Sequence, residues 1–263
     1  MDKVSGTPRR GMLRLGLAGA TVAAIPHAAQ SLQRGHAPRI LVFDVNETLL
    51  DLRALEPHFE RAFGDKTILR EWFHHVIEYA EALTLTGDYR AFGDVARAAL
   101  QMTAKSQGVA LSANDEQQIV GGIRNLPAHT EVPKSLDRLK SAGLRMVTLT
   151  NSPPAVVEAQ MKYSNLQQYF ERNFSVDAIR KYKPASEAYR MVAAELGVQT
   201  HQLRMIAAHA WDVGGAMRAG CAAAFIARSG KALFPLFPKP DILGKDLSEV
   251  SEAILKAEIV PAR

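Results

Sequence analysis

Arg39 to Phe43 reads "RILVF", an apolar run with no alternation, which suits a strand buried on both faces of a parallel sheet. From Leu55 to about Arg124 the pattern turns helical. "ILREWFHHVIEYAEALTLT" carries Ile68, Trp72, Val76, Tyr79 and Leu83 three or four residues apart. "FGDVARAALQMTAKS" and "SANDEQQIVGGI" continue the pattern, the second with Ser112 placed as an N-cap. Strand–helix alternation then returns. "LRMVTLT" (144–150), "LRMIAA" (203–208) and "CAAAFIA" read as strands, and "RNFSV" as a shorter one. Helices are expected from Pro153-Pro154, over "PASEAYRMVAAEL" with a proline in its first turn, over "DVGGAMRAG" and over "VSEAILKAEIV". Such alternation predicts an open, mostly parallel sheet wrapped by helices, with the helical block after the first strand inserted as a separate lobe.

Composition adds limits. The chain has 263 residues, 47% hydrophobic and 22% charged, as expected of a globular protein with a sizeable core. Cys221 is the single cysteine, which rules out an intrachain disulfide and a paired-cysteine metal site. It opens a predicted buried strand and is expected to be inert core. The net charge of +5 suggests nucleic acid only until it is located. Lys3, Arg9, Arg10, Arg14 and Arg34 face only Asp2 in residues 1–38, so the body is close to neutral and offers no basic footprint. Arg9-Arg10 precede an apolar stretch from Leu15 to Ile25, a layout that resembles a twin-arginine export signal. That stretch is shorter than the ~20 residues of a stable membrane span. Residues 1–38 are therefore read as a leader, with a periplasmic location expected and no stable membrane insertion.

Ligands of open parallel α/β sheets bind beyond the carboxyl ends of the strands. Four polar stations fall there in order: Asp44 after "ILVF", Thr150-Asn151 after "RMVTL", Lys183 in "KYKP", and His209 with Asp212 after "RMIAA". The stretch "FDVNETLLD" has Asn46, and not a second acid, two residues after Asp44.

This order of stations resembles the haloacid dehalogenase superfamily, and "FDVNETLLD", "LTNSPP", "YKP" with Tyr189 five residues after Pro184, and "AWDVGGA" resemble its type II, L-2-haloacid branch. The resemblance implies a Rossmann-like α/β core over 39–54 and 128–258, with a helical cap over 55–127. It also implies a metal-independent hydrolytic dehalogenase of a small 2-haloacid, without cofactor, and a homodimer through cap contacts. Asp44 would be the nucleophile. A halide leaves as a stable anion, so the reaction needs no proton donor at position 46. Magnesium would find a poor oxygen cage, with His209 ahead of the single acid Asp212.

Further roles follow from charge. Lys183 would keep Asp44 ionised. Two roles are open to Asp212: holding Lys183 and activating the hydrolytic water. Thr48, Thr150 and Asn151 can donate hydrogen bonds, the N–H groups of Val45 and Asn46 can serve an oxyanion, and Tyr189 can orient the lysine or the substrate. His209 divides between a site residue, on substrate or water, and a structural histidine. Trp72, Phe73, Tyr79 and Phe92 are read as cap core, with Trp72 and Phe73 also candidates for the pocket wall. The branch has Trp-Arg where this chain has Trp72-Phe73, and two serines and an asparagine where it has Ala207, Ala208 and His209. Arg70, Arg90 or His209 could supply the missing cation. His74-His75 point to different helix faces and make a poor metal pair. Two competing readings are a magnesium-dependent phosphatase and a non-catalytic binder of small acids on the same fold.

Overall fold

The computed structural model describes residues 40–259, so the expected leader lies outside the described residues. Strand β1 (Ile40–Phe43) is buried at every position, as its unbroken apolar pattern requires. The other strands are β2 (Arg145–Thr150), β3 (Arg172–Ser175), β4 (Leu203–Ala207), β5 (Ala222–Ile226) and β6 (Ile242–Gly244). They form one sheet in the order β3-β2-β1-β4-β5-β6, every pair parallel. Phe43 is in register with Thr148 on one side and Ile206 on the other. The chain segments that leave β1, β2 and β4 therefore emerge side by side at one sheet edge.

Between β1 and β2 come α1 (Glu56–Phe63), α2 (Ile68–Thr86), α3 (Phe92–Ser106) and α4 (Ala113–Gly122). These four helices are the insertion between the first two strands, called the lobe below. Ser112 caps α4 by accepting from the Asp115 N–H. The chain leaves and re-enters the core through adjacent strands of backbone: Leu50 bridges Ala128, and the His129 N–H donates to the Leu49 carbonyl. Tyrosines also tie lobe to core. The Tyr89 hydroxyl donates to Asp177, and the Tyr182 hydroxyl donates to the Arg90 carbonyl.

Four local expectations need correction. The buried face of α2 is Leu69, Trp72, Phe73, Val76 and Ala80, which shares Trp72 and Val76 with the predicted stripe, and Tyr79 is 44% exposed rather than core. Helix α7 (Ser186–Glu195) has Ala185 as N-cap, so Pro184 precedes it instead of occupying its first turn. Helix α8 (Ala210–Arg218) starts two residues early, with His209 as N-cap and Asp212 within the first turn. The helix α5 (Val132–Ser141) and β6 were not anticipated; α5 has a proline at its start and buries Val132, Leu136 and Leu139 on one face. Helix α6 (Pro154–Tyr163) and α9 (Leu247–Glu258) lie where the pattern placed them. No described helix is long and apolar enough to cross a membrane.

Candidate active site

The carboxyl edge of the sheet collects a chain of buried charges. Asp44, one residue beyond β1, is 4% exposed. Its Oδ1 accepts from the Lys183 ammonium at 2.9 Å, and its Oδ2 accepts from the Thr48 hydroxyl at 2.6 Å. Lys183 also donates to the Leu149 carbonyl at 3.0 Å and to Asp212 Oδ2 at 2.6 Å. The other Asp212 oxygen accepts from the Tyr189 hydroxyl at 2.7 Å. His209 Nδ1 lies 3.1 Å from Asp44 Oδ2, and its Nε2 lies 2.8 Å from Glu47 Oε2. Glu47 in turn accepts from the Lys231 ammonium at 2.8 Å. Three carboxylates thus alternate with three cationic side chains.

Local sequence explains how these groups are held. Thr48 sits four residues after Asp44 in a turn closed by Leu49 N–H to the Val45 carbonyl, and the Ala208 N–H donates to Thr48 Oγ1. The Asn151 carboxamide accepts from the backbone N–H of Lys183 at 3.0 Å, which fixes the lysine loop against β2. Thr150 accepts from the Ser152 N–H, so it orders its own loop rather than capping α6, whose N-cap is Pro153. Val45 and Asn46 are buried directly after Asp44. The Asn46 carboxamide accepts from Gln160 at 2.8 Å and donates to the Ser152 hydroxyl at 3.4 Å. It therefore points toward α6, tied to neutral partners.

The electrostatics follow from burial against pairing. Burial alone would raise the Asp44 carboxyl, but the Lys183 ammonium and the hydrogen bonds from His209 and Thr48 outweigh it and hold Asp44 well below the usual carboxylate range. Burial would discharge Lys183; the Asp212 and Asp44 carboxylates keep it charged and raise its pKa. Asp212 itself is raised, because its complete burial outweighs the help it gets from Lys183. Burial also opposes a charge on His209, yet Asp44 and Glu47 push its pKa up to about 9. Glu47 would be raised by burial, but His209 and Lys231 bring it down to about 2.

The candidate residues do not all converge. Asp44, Thr48, Lys183, Tyr189, His209 and Asp212 form one network, with Val45, Asn46, Thr150 and Asn151 framing it. Trp72 stays out: it packs on Phe59, and its indole N–H donates to the Ala96 carbonyl at 2.9 Å, inside the lobe. Phe73 faces the network, with its ring 6.4 Å from that of His209. Arg70 is exposed on α2, and Arg90 is exposed and paired with Asp88. Of the three residues offered to replace the absent arginine, only His209 is at the site. His75 hydrogen-bonds Thr103, away from it.

Several participants escaped the sequence reading. Glu47 and Lys231 extend the charge chain to the surface. Arg228 donates to the Thr48 carbonyl at 2.6 Å and to Glu131, holding the Asp44–Thr48 turn from behind. Trp211 stacks on His209 with ring centres 5.0 Å apart. Glu47 carries a φ of 60°, a left-handed conformation that side-chain-bearing residues seldom adopt. Among the described residues no group of three or more His, Cys, Asp and Glu is arranged to hold a metal. The space between Asp44 and Asp212, where a cation would bridge them, is taken by the Lys183 ammonium.

Fold and site together define a class: a parallel α/β core whose ionised groups gather at the carboxyl edge of the sheet, with a helical insert after the first strand. More particularly, the chain belongs to the haloacid dehalogenase-like hydrolases, whose family model matches residues 38–220. The (S)-2-haloacid dehalogenase of Pseudomonas sp. (strain YL) is 28% identical over 203 residues, covering 76% of this chain and 88% of the relative. The solved L-2-haloacid dehalogenase RSc1362 superposes with a TM-score of 0.80 at 28% identity, over 83% of this chain and 99% of that one. The L-2-haloacid dehalogenase of Xanthobacter autotrophicus gives 0.77 at 25% identity, over 84% and 99%.

Proposed function

We propose that the protein hydrolyses a small 2-haloalkanoic acid through an ester on Asp44, without a metal. The observation that carries this reading is the pairing of a buried, ionised Asp44 with an Asn46 that is tied to Gln160 and offers no acid to a leaving group. An Asp44 oxygen attacks the carbon bearing the halogen, the carbon–halogen bond breaks, and the halide leaves with the bonding electrons. Water then attacks the Asp44 carbonyl carbon, and collapse of the tetrahedral species returns the carboxylate and a 2-hydroxy acid. The Lys183 ammonium keeps Asp44 ionised before attack, and Asp212 with Tyr189 fixes the lysine. The names of the relatives support this substrate class.

The test is halide release from chloroacetate and L-2-chloropropionate, with and without EDTA. Release that survives EDTA and is abolished in Asp44→Asn is the expected result. Magnesium-dependent phosphate release from a phosphoester, with no halide released, overturns the reading. We also propose export through the twin-arginine leader and a homodimer through the lobe. A processed chain in the periplasmic fraction tests the first, and light scattering of the purified protein tests the second.

A further inference from the structure

The loop that brings Lys183 to the site is held from two sides. On the core side, the Lys183 N–H donates to the Asn151 carboxamide at 3.0 Å. One residue earlier, the Tyr182 N–H donates to the Thr84 hydroxyl oxygen at 3.0 Å, and Thr84 lies in the last turn of α2, in the lobe. The Thr84 hydroxyl gives its own proton to the Ala80 carbonyl, which leaves the oxygen free to accept. Two consecutive backbone donors thus tie the same stretch of chain to the lobe and to the core.

The Tyr182 side chain turns the same way as its N–H. Its hydroxyl donates to the Arg90 carbonyl, and its buried ring lies 5.0 Å from that of Tyr89 and 5.8 Å from that of Phe92. All of these partners belong to the corner between α2 and α3. Tyr89 is locked in turn: its hydroxyl donates to Asp177 at 2.8 Å, and the Arg180 guanidinium lies 5.1 Å over its ring. Lys181 turns outward to an exposed pair with Glu187. Within "KYKP", then, Tyr182 is what the lobe grips, and the very next residue reaches Asp44 at 2.9 Å.

Lys183 has no slack to absorb a shift of its main chain. Its three N–H donors are all spent, on Asp44, on the Leu149 carbonyl and on Asp212. Moving the loop breaks at least one of these bonds inside a buried site, where an unpaired charged group is costly.

Resting on the ester mechanism proposed above, we infer that Tyr182 is the positioning residue through which the α2–α3 corner of the lobe holds Lys183 on Asp44, so that docking of the lobe and assembly of the charged site are one event. With the corner in place, the ammonium sits between Asp44 and Asp212. With the corner displaced, Tyr182 loses its N–H acceptor, its hydroxyl acceptor and its aromatic neighbours together, and the lysine loop keeps only its bond to Asn151. Attack by Asp44 is thereby tied to the docked state of the lobe.

The test uses the full chain and two readouts. One is acetylation by acetic anhydride, read by peptide mass spectrometry as label on buried Lys183 relative to exposed Lys245. The other is the rate of single-turnover chloride release from chloroacetate. Thr84→Val removes the acceptor of the Tyr182 N–H and keeps the shape of the side chain, whereas Thr84→Ser keeps the acceptor. Thr84→Val is expected to raise Lys183 labelling by at least about threefold and to slow chloride release by roughly three- to tenfold, with Thr84→Ser at wild-type values in both. Should Thr84→Val not fold, Tyr182→Phe carries the test: it keeps the ring, loses the bond to the Arg90 carbonyl, and moves both readouts the same way. Wild-type labelling or wild-type chloride release in the folded variant, or equal effects of Thr84→Val and Thr84→Ser, overturns the assignment. Absence of chloride release from wild-type protein instead overturns the dehalogenase reading, and the labelling then decides the role of Tyr182 by itself.

Discussion

The Tyr189 hydroxyl donates to the one Asp212 oxygen that Lys183 leaves free, at 2.7 Å against 2.6 Å for the ammonium on the other. Both Asp212 oxygens are thereby engaged, one by the lysine and one by the tyrosine. Tyr189→Phe should cost on the order of 1–3 kcal/mol of stability, because it strands a buried carboxylate oxygen. Asp212→Asn should lower kcat more than KM, since Lys183 loses the partner that aims it at Asp44. Denaturant titration and steady-state halide release check the two.

A single turnover in oxygen-18 water should label the Asp44 carboxylate, and the first-formed hydroxy acid should carry unlabelled oxygen. The reason is that the new C–O bond to the product comes from Asp44, while water enters at the carbonyl carbon. Peptide mass spectrometry after one turnover reads the position of the label.

His209 has a pKa pushed from 6.5 up to about 9, so its pairing stabilises the folded state fully below about pH 6.5 and is lost as pH rises through 9. Glu47, brought down to about 2, works the other way: its contribution is present above about 4.5 and is lost as pH falls toward 2. Unfolding free energy of the wild type should therefore fall from pH 6.5 to 9.5, by on the order of a few kcal/mol. His209→Gln should flatten that slope.

Phe73 stands where the resembled branch has a cation, and the structure gives a reason. A guanidinium there would face the His209 imidazolium, whose ring is 6.4 Å from that of Phe73. Phe73→Arg alone should lower the melting temperature and leave halide release no faster. Combined with His209→Asn it should be better tolerated, with a coupling energy of about 1 kcal/mol or more in a double-mutant cycle.

Replacing Glu47 by glycine separates backbone from side chain. Relief of the left-handed strain should return about 1 kcal/mol and offset part of the lost ion pairs, so stability should stay within about that amount of wild type. Turnover should nonetheless fall, because the His209 ring beside Asp44 loses the carboxylate that holds its Nε2.

Much of this architecture was legible because strands buried on both faces write themselves as apolar runs, and each run here ends on a polar residue. Asp44, Thr150-Asn151 and His209 with Asp212 follow from that, Lys183 was singled out by its place in "YKP", and Asp44, Lys183, His209 and Asp212 do meet. What stayed hidden had no periodic signature. Lys231 lies in an irregular stretch after β5, where nothing in the local pattern says which way a lysine turns. Glu47 has a backbone angle that only a glycine would have advertised. Trp72 and Val76 of the α2 stripe were placed correctly, but Leu69 and Ala80 fit a helical period as well as Ile68 and Tyr79, and only packing against α3 decides. Helix α5 was passed over because it is polar on average, and its apolar residues show a face only when spaced on a helix.

The parallel strand order has a consequence for how the chain comes to life. Asp44 meets Lys183 across 139 residues of sequence and His209 across 165, because β1 is central and its partners are made much later. No fragment ending before α8 can assemble the charge chain, whatever helical content it reaches. During refolding, recovery of helix signal should run ahead of recovery of activity, since contacts of such long range close late. Asp44 is synthesised well before Lys183 and His209, so a fragment that stops short of them lacks the partners that charge and hold its carboxylate.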